Sequence, residues 1–212
     1  PVTMFLDELD SSAESAINTV LIDENSKMLK GYNTDVAGFK NSIPADITVC
    51  GKTAGILGTG GAARAVISAL AQLQIKNVKL YTRNVANSIE FLEYLRKTYP
   101  SVEFNAFQID RINNLSDINI LINATPIGMQ GYGADYTPVE ENELKTLLDD
   151  AFVYDVIYNP KKTLFIRLAE KLKYRAKSGL DMLIYQALEA EKIWTGRTPD
   201  FKDMKIAALE NL

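Results

Sequence analysis

The chain has 212 residues, 47% of them hydrophobic and 24% charged, with Lys+Arg 23 against Asp+Glu 27 for a net charge of −4. These values describe one large or two small globular domains, and without a basic excess they exclude a nucleic-acid or membrane-surface binder. There is no histidine and one cysteine, Cys50, which excludes His-based triads, His-held metals, internal disulfides and Cys-rich zinc sites.

Residues 3–16 carry helical spacing, with Met4, Phe5, Leu9 and Ala13 or Ala16 on one side, and predict an amphipathic helix. INTVLID (17–23) reads as a strand, DENS as a turn and KMLKGY as the hairpin partner. Thr34 is placed to cap a short helix through Phe39, ended by Pro44. A different rhythm then begins. TAGIL (53–57), NVKLYTR (77–83), VEFNAF (102–107), INILIN (118–123) and FVYDVIY (152–158) are strand-like. Helical patterns fill 62–73, 88–99 with Ser88 as the expected cap, the stretch before Asp150, and 164–173. GLDMLIYQALEAEKIW (179–194) is a strong helix, TGRTPDF breaks it, and a short helix follows. Alternating strands and helices imply a parallel sheet covered on both faces. The expected organisation is a small α/β piece at 1–44, a nucleotide-type βαβ domain at 45–178, and terminal helices at 179–212 that pack back on the small piece. At 44 residues the first piece is too short to bury a proper core alone.

No stretch approaches ~18 apolar residues, so no transmembrane helix is expected. PVTMFLDELD lacks the character of a signal peptide, and one free thiol fits a reducing compartment, so the expected location is cytoplasmic. The chain lacks an initiator Met and is expected to be a fragment or a processed form. Acid–base chemistry falls to Lys, Asp, Glu or Tyr, or a cofactor carries the difficult step.

The most informative stretch is TAGILGTGGAARA, a strand running through Gly58, Thr59, Gly60, Gly61 and Ala62 into a helix. Gly58 permits the tight turn, and Gly60 and Gly61 let backbone approach a pyrophosphate. Ala63 stands where a third glycine would allow helix–strand packing. The helix N-terminus adds free N–H groups and partial positive charge. An NAD site wants a carboxylate ~20 residues after the loop. Here that position holds Tyr81-Thr82-Arg83-Asn84, and no carboxylate lies between Gly58 and Glu90. Arg83 can pair with a 2′-phosphate, which favours NADP(H) over NAD(H). Asn123, Ala124 and Thr125 end a strand on the side where such sheets bind ligands, although Asn, Thr and Pro126 also make ordinary turns.

Three further residues admit two readings each. Asp35 is either a dipole-compatible acid in a first helical turn or a chemical group. Asn18 interrupts a β-branched run, as a kink or as a binding group. Gln186 lies inside an apolar helix, with a partner on a packed face or with solvent.

Together these segments resemble the shikimate dehydrogenase family. The matching stretches are AINTV, GYNTDVAGF, GILGTGGAARA, YTRN, INATPIGM, YDVIYNPKKTLF and SGLDMLIYQALEAEKIWTG, in family order over nearly the whole chain. The resemblance implies an α/β fold, with a Rossmann-like doubly wound parallel sheet domain and the remainder of a smaller α/β substrate domain. It implies an NADP-dependent oxidoreductase acting on a CH–OH group, reversibly reducing 3-dehydroshikimate to shikimate on the route to chorismate and aromatic amino acids. By the same resemblance Asp35 is catalytic and Asn18 binds substrate. Gly58 to Ala62 form the phosphate loop, Arg83 belongs to the nucleotide motif with Thr82 and Asn84, and Val156 contacts cofactor. Tyr158, Gly179 and Gln186 line the substrate and nicotinamide. No metal is implied.

Three departures from the family pattern stand out. The Ser-x-Ser substrate motif and the N-V-T-x-P-x-K segment with the catalytic Lys are absent, and Pro1 is expected to follow directly after that segment. The Asn-Arg-Thr motif is Thr82-Arg83-Asn84, with Asn87 where a second basic residue is expected. A non-catalytic NADP-binding relative and a quinate/shikimate dehydrogenase are the alternative functions. The expected partner is the small-molecule substrate, with no nucleic acid and no membrane, and a homodimer is one oligomeric option.

Overall fold

The computed structural model describes residues 2–13 and 16–210, and Glu14 and Ser15 of the first expected helix lie outside them. The chain builds two sheets. The smaller has the order β1-β3-β2, from β1 (Glu8–Leu9), β2 (Thr19–Ile22) and β3 (Leu29–Tyr32). β2 and β3 form the expected antiparallel hairpin, with Thr19 opposite Tyr32 and Ile22 opposite Leu29. Asp23 Oδ1 closes the turn by accepting from the backbone N–H of Asn25 and Ser26.

The helix expected over 3–16 does not form. Val2–Phe5 and Ser11–Ala13 are single 3-10 turns, and β1 between them pairs in parallel with β3. The reason is that the apolar stripe has nothing to cover. Met4, Phe5 and Leu9 are 76%, 73% and 51% exposed. A short helix draws most of its stability from packing such a face. Backbone pairing wins instead, helped by Asp7 Oδ2, which accepts from Leu29 N at 2.8 Å.

α1 (Thr34–Ser42) runs past the expected end at Phe39, and its cap is Asn33 rather than Thr34. The Asn33 side chain accepts from Asp35 N at 3.2 Å, freeing Thr34 to turn inward. Ile43 is extended ahead of Pro44, which stops the helix. α1 does not belong to the small sheet alone. Phe39 packs edge-on against Tyr154 at 5.0 Å, Ser42 Oγ meets Tyr154 Oη at 2.7 Å, and Val36 and Phe39 join the core of the larger sheet.

The larger sheet is parallel throughout, with strand order β6-β5-β4-β7-β8-β9. Its strands are β4 (Thr53–Leu57), β5 (Asn77–Thr82), β6 (Glu103–Gln108), β7 (Ile120–Asn123), β8 (Phe152–Asp155) and β9 (Arg175–Lys177). β9 carries only Arg, Ala and Lys, so it shows no apolar signal and escapes a sequence reading. α2 (Gly61–Gln72), α3 (Ile89–Thr98), α1 and α6 (Leu180–Thr195) cover one face. α4 (Glu141–Leu144) and α5 (Leu164–Lys171) cover the other. The buried strands obey period two: Ala54 and Ile56 face the first layer, Leu57 the second. α7 (Phe201–Glu210) returns onto α6 through a stacked Phe201–Tyr185 pair at 4.5 Å and a Lys205–Asp181 ion pair. Ser88 is the residue before α3 but makes no side-chain cap; its Oγ donates to Asn84 O at 3.1 Å.

Candidate functional site

Strand order reverses between β4 and β7, and the crevice at the carboxyl ends of those two strands is where open α/β sheets bind ligands. Leu57 pairs with Asn123 there, so the loop after each strand starts at the same level. Gly58 has φ +100, and a Cβ on it would sit 3.1 Å from Ala124 O. Only glycine allows the β4 loop to pass that closely beside the β7 loop. At Gly60 and Gly61 a Cβ would meet no protein atom within 4 Å. Their missing side chains open the floor of a cavity of about 500 Å³ lined by Gly60, Gly61, Ala62, Ala124, Thr125 and Val156, with Tyr158 at its rim. α2 begins at Gly60 without a side-chain cap and with no acid in its first turn. Its free N–H groups therefore face the cavity as an anion cradle.

Asn123 was expected to touch ligand, and its position corrects this. It is fully buried and its polar atoms are committed. Nδ2 donates to Ile127 O and Asp155 Oδ1, and Oδ1 accepts from Thr125 N and Thr125 Oγ1. Asn123 shapes the turn that presents Ala124 and Thr125. Its partner Asp155, which sequence reasoning passed over, is also fully buried. Asp155 Oδ1 accepts from Ile157 N and Oδ2 from Thr163 Oγ1 at 2.6 Å. Burial pushes its carboxyl up to about 6, against the pull of the Thr163, Ile157 and Asn123 hydrogen bonds. One network thus ties the β7 turn, the β8 turn and the N-cap of α5 together beneath the cavity. A sequence offers no warning of it, since the apolar run FVYDVIY gives Asp155 the face of an edge acid.

Thr82, Arg83 and Asn84 lie at the end of β5. Thr82 Oγ1 accepts from Asn84 N and Asn84 Oδ1 from Asn87 N, so both side chains shape the loop. Gln108 Nε2 holds the Arg83 carbonyl at 2.7 Å, while the Arg83 side chain is exposed. Gly179 is explained by packing. A Cβ there would lie 2.0 Å from Val156 O, and Gly179 N donates to Ile157 O. This seats the start of α6 on the end of β8, beside the cavity wall.

A second group forms where the hairpin, α1 and α6 meet. Asn18 Oδ1 accepts from Thr34 N at 2.9 Å, and Thr34 Oγ1 is 3.2 Å from both Asn18 Oδ1 and Gln186 Oε1. Asn18 also hydrogen-bonds the half-buried Asp35, whose carboxyl is raised by burial and lowered by that bond. Asn18 and Gln186 line a cavity of about 340 Å³ with Thr19 and Trp194. Asn18, Asp35 and Gln186 are therefore brought together, and Thr34 is the member sequence reasoning took for a cap. The close approach rests on Gly38, where a Cβ would lie 2.8 Å from Met182 O and 2.9 Å from Gln186 Cβ. Among the described residues no group of His, Cys, Asp and Glu is arranged to hold a metal ion, and no helix is long and apolar enough to cross a membrane.

The chain is similar to known proteins along most of its length. Residues 179–209 match the family described as Shikimate 5'-dehydrogenase C-terminal domain. The NADP(+) shikimate dehydrogenase of Methanocaldococcus jannaschii is 37% identical over 219 residues, covering 100% of this chain and 74% of that protein. A crystal structure of a shikimate dehydrogenase in complex with NADP+ superimposes with a TM-score of 0.87 at 34% identity, over 99% of this chain and 72% of that one. The ligand-free 5-ketofructose reductase of Gluconobacter sp. strain CHM43 superimposes with a TM-score of 0.89 at 32% identity, over 100% of this chain and 75% of that one. On the strength of the M. jannaschii match, which spans the whole chain, this chain belongs to the shikimate dehydrogenase family.

Proposed function

We propose that the protein is an NADP-dependent shikimate dehydrogenase that interconverts 3-dehydroshikimate and shikimate. The observation that carries this is the pairing of an anion cradle at the β4/β7 crevice with a separate polar cluster of Asn18, Thr34, Asp35 and Gln186. The cradle fits a dinucleotide: it has room, an uncapped helix N-terminus and glycines whose Cβ positions are open. When bound, NADP(H) supplies the hydride. The backbone at 58–62 would hold the pyrophosphate, and Arg83 would pair with the 2′-phosphate. Thr82, Asn84 and Asn123 would fix the loops, while Ala124, Thr125, Val156 and Gly179 would bound the ribose and nicotinamide.

Asn18, Tyr158 and Gln186 would orient the substrate hydroxyls by hydrogen bonds. Asp35 would hydrogen-bond the reacting hydroxyl, taking its proton as hydride leaves the carbon and returning it to the alkoxide as hydride arrives. Partial burial lowers the dielectric around that carboxyl, so its hydrogen bonds are stronger than in open water. The partner ammonium that the family resemblance implies has no counterpart beside Asp35 among the described residues: only burial and Asn18 act on its carboxyl. We further propose that residues 1–44 serve the substrate, 45–178 the nucleotide, and 179–212 return to the substrate side. The hydrogen bond from Trp194 Nε1 to Val20 O supports the last assignment.

The 5-ketofructose reductase likeness keeps a different polyol in view as a second reading. Rates of NADP+ reduction should be measured with shikimate and quinate, and of NADPH oxidation with 3-dehydroshikimate and 5-ketofructose. A preference for the shikimate pair, whatever the absolute rate, supports the proposal. Faster turnover of the ketohexose would replace the substrate and leave the cofactor assignment standing.

A further inference from the structure

We propose that Arg64 is a second specificity-determining cation for nucleotides carrying an adenosine 2′-phosphate, acting from α2 beside Arg83. The inference rests on the NADP reading above and names how that site would tell NADP(H) from NAD(H).

Arg64 sits in the first turn of α2, where its N–H donates to Gly60 O at 3.1 Å. Its guanidinium lies 4.2 Å from the centroid of Phe91, in the first turn of α3. α2 and α3 lie on the same face of the sheet and start at the carboxyl ends of β4 and β5. Arg64 therefore occupies the groove between two helix starts, and the Thr82-Arg83-Asn84 loop closes that groove on the β5 side. The loop is held by the Asn87 N–H to Asn84 Oδ1 bond and the Ser88 Oγ–H to Asn84 O bond.

Three observations point to an anion there. First, a cation in the opening turn of a helix opposes the helix dipole, yet α2 has no acid in that turn to offset it. Second, the half-buried guanidinium has no carboxylate or hydrogen-bond acceptor among the described residues, so its donors are unspent although the aromatic ring fixes its plane. Third, Arg83 adds another exposed cation at the next strand end, and no carboxylate occurs between Gly58 and Glu90. A ring-stacked guanidinium keeps its N–H edge free for bidentate contact with phosphate oxygens. The position four after Arg83 is the uncharged Asn87, so α2 supplies the charge that this loop lacks.

The test is titration of the full chain with 2′,5′-ADP and with 5′-AMP, for wild type, Arg64→Ala, Arg64→Lys and Phe91→Leu. Arg64→Ala should weaken 2′,5′-ADP about tenfold and leave 5′-AMP within about twofold, the scale of one charge-assisted contact. Arg64→Lys, which keeps charge but loses the planar fork, and Phe91→Leu, which frees the fork, should each lower the preference by about threefold. Equal weakening of both nucleotides, or an unchanged preference, would overturn the proposal and make Arg64 a staple between α2 and α3. Should Arg64→Ala fail to fold, the Lys variant decides by the same criterion. A wild type that does not distinguish the two nucleotides would sink the NADP reading itself.

Discussion

Gly179 and Val156 approach so closely that no side chain fits between them: a Cβ on Gly179 would lie 2.0 Å from Val156 O and 2.5 Å from its carbonyl carbon. Gly179 has φ −74, so the demand for glycine here is steric and not conformational. Val156 walls the cavity at the β4/β7 crevice, and Gly179 begins the helix that carries Gln186. The contact therefore sets the position of one candidate site relative to the other.

Gly179→Ala should force α6 away from β8. Overpacking against backbone costs about 2 kcal/mol, which in a chain of this size lowers Tm by about 4–8 °C. NADPH affinity and the response to Gln186 substitution should both change, because the displaced helix end touches both. A thermal melt with no shift would show that the backbone relaxes there without loss.

Asp35 lies outside the larger sheet and is held by Asn18 and Asn33. Asp35→Asn should cut turnover by about 10²-fold or more, the range of one general acid–base contribution, while NADPH affinity stays near wild type. Stability should not fall. Its carboxyl is raised by burial, so ionising it costs the folded state, and a neutral amide of the same shape avoids that cost. Binding and steady-state rates measured side by side decide the matter; a collapse of NADPH affinity would make Asp35 part of the scaffold for the cradle.

Much of this arrangement can be read from residues alone, and the failures have definite causes. The order of strands and helices from Thr53 onward follows from apolar runs that stop at glycine or asparagine, and the glycine turn at 58–61 marks the crevice because few other functions need that spacing. The helix expected at 3–16 fails because periodicity reports a face and cannot say whether anything covers it. β9 is invisible because a three-residue strand of Arg, Ala and Lys has no apolar pattern. Thr34 and Asp155 are missed for a different reason. Their roles come from pairings across 152 residues with Gln186 and 32 residues with Asn123, which only the fold brings together.

Arg83 is exposed and its backbone is anchored by Gln108, so removing the side chain should leave the loop intact. Arg83→Ala should weaken NADP(H) by about 1.5–3 kcal/mol, the worth of a hydrogen bond to a charged group, with little effect on NAD(H). The NADP(H) loss should shrink at high salt, because an exposed ion pair is screened. Titration of both nucleotides against wild type and variant checks this, and equal weakening of the two would remove Arg83 from the 2′-phosphate site.

Asp155 gives the sharpest pH prediction. Its carboxyl is raised from 3.8 to about 6, first by burial, and the groups facing it are all neutral: Asn123, Thr163 and the Ile157 N–H. Between those two values the folded state holds a proton that the unfolded chain has released. Stability from this group is therefore full below about pH 4 and declines as pH rises through 6, by about 2–3 kcal/mol in all. Asp35 shifts the same way and the lowered carboxyls of Asp181 and Glu141 oppose it, so the comparison must be between wild type and variant. Asp155→Asn keeps an oxygen for Asn123 and Ile157 and turns its NH2 toward Thr163, whose hydroxyl can accept. Urea unfolding should find the variant close to wild type near about pH 4 and more stable near about pH 7. A variant that loses the same stability at both pH values would mean that the Thr163 contact requires the acid, and that the network is held by geometry and not by charge.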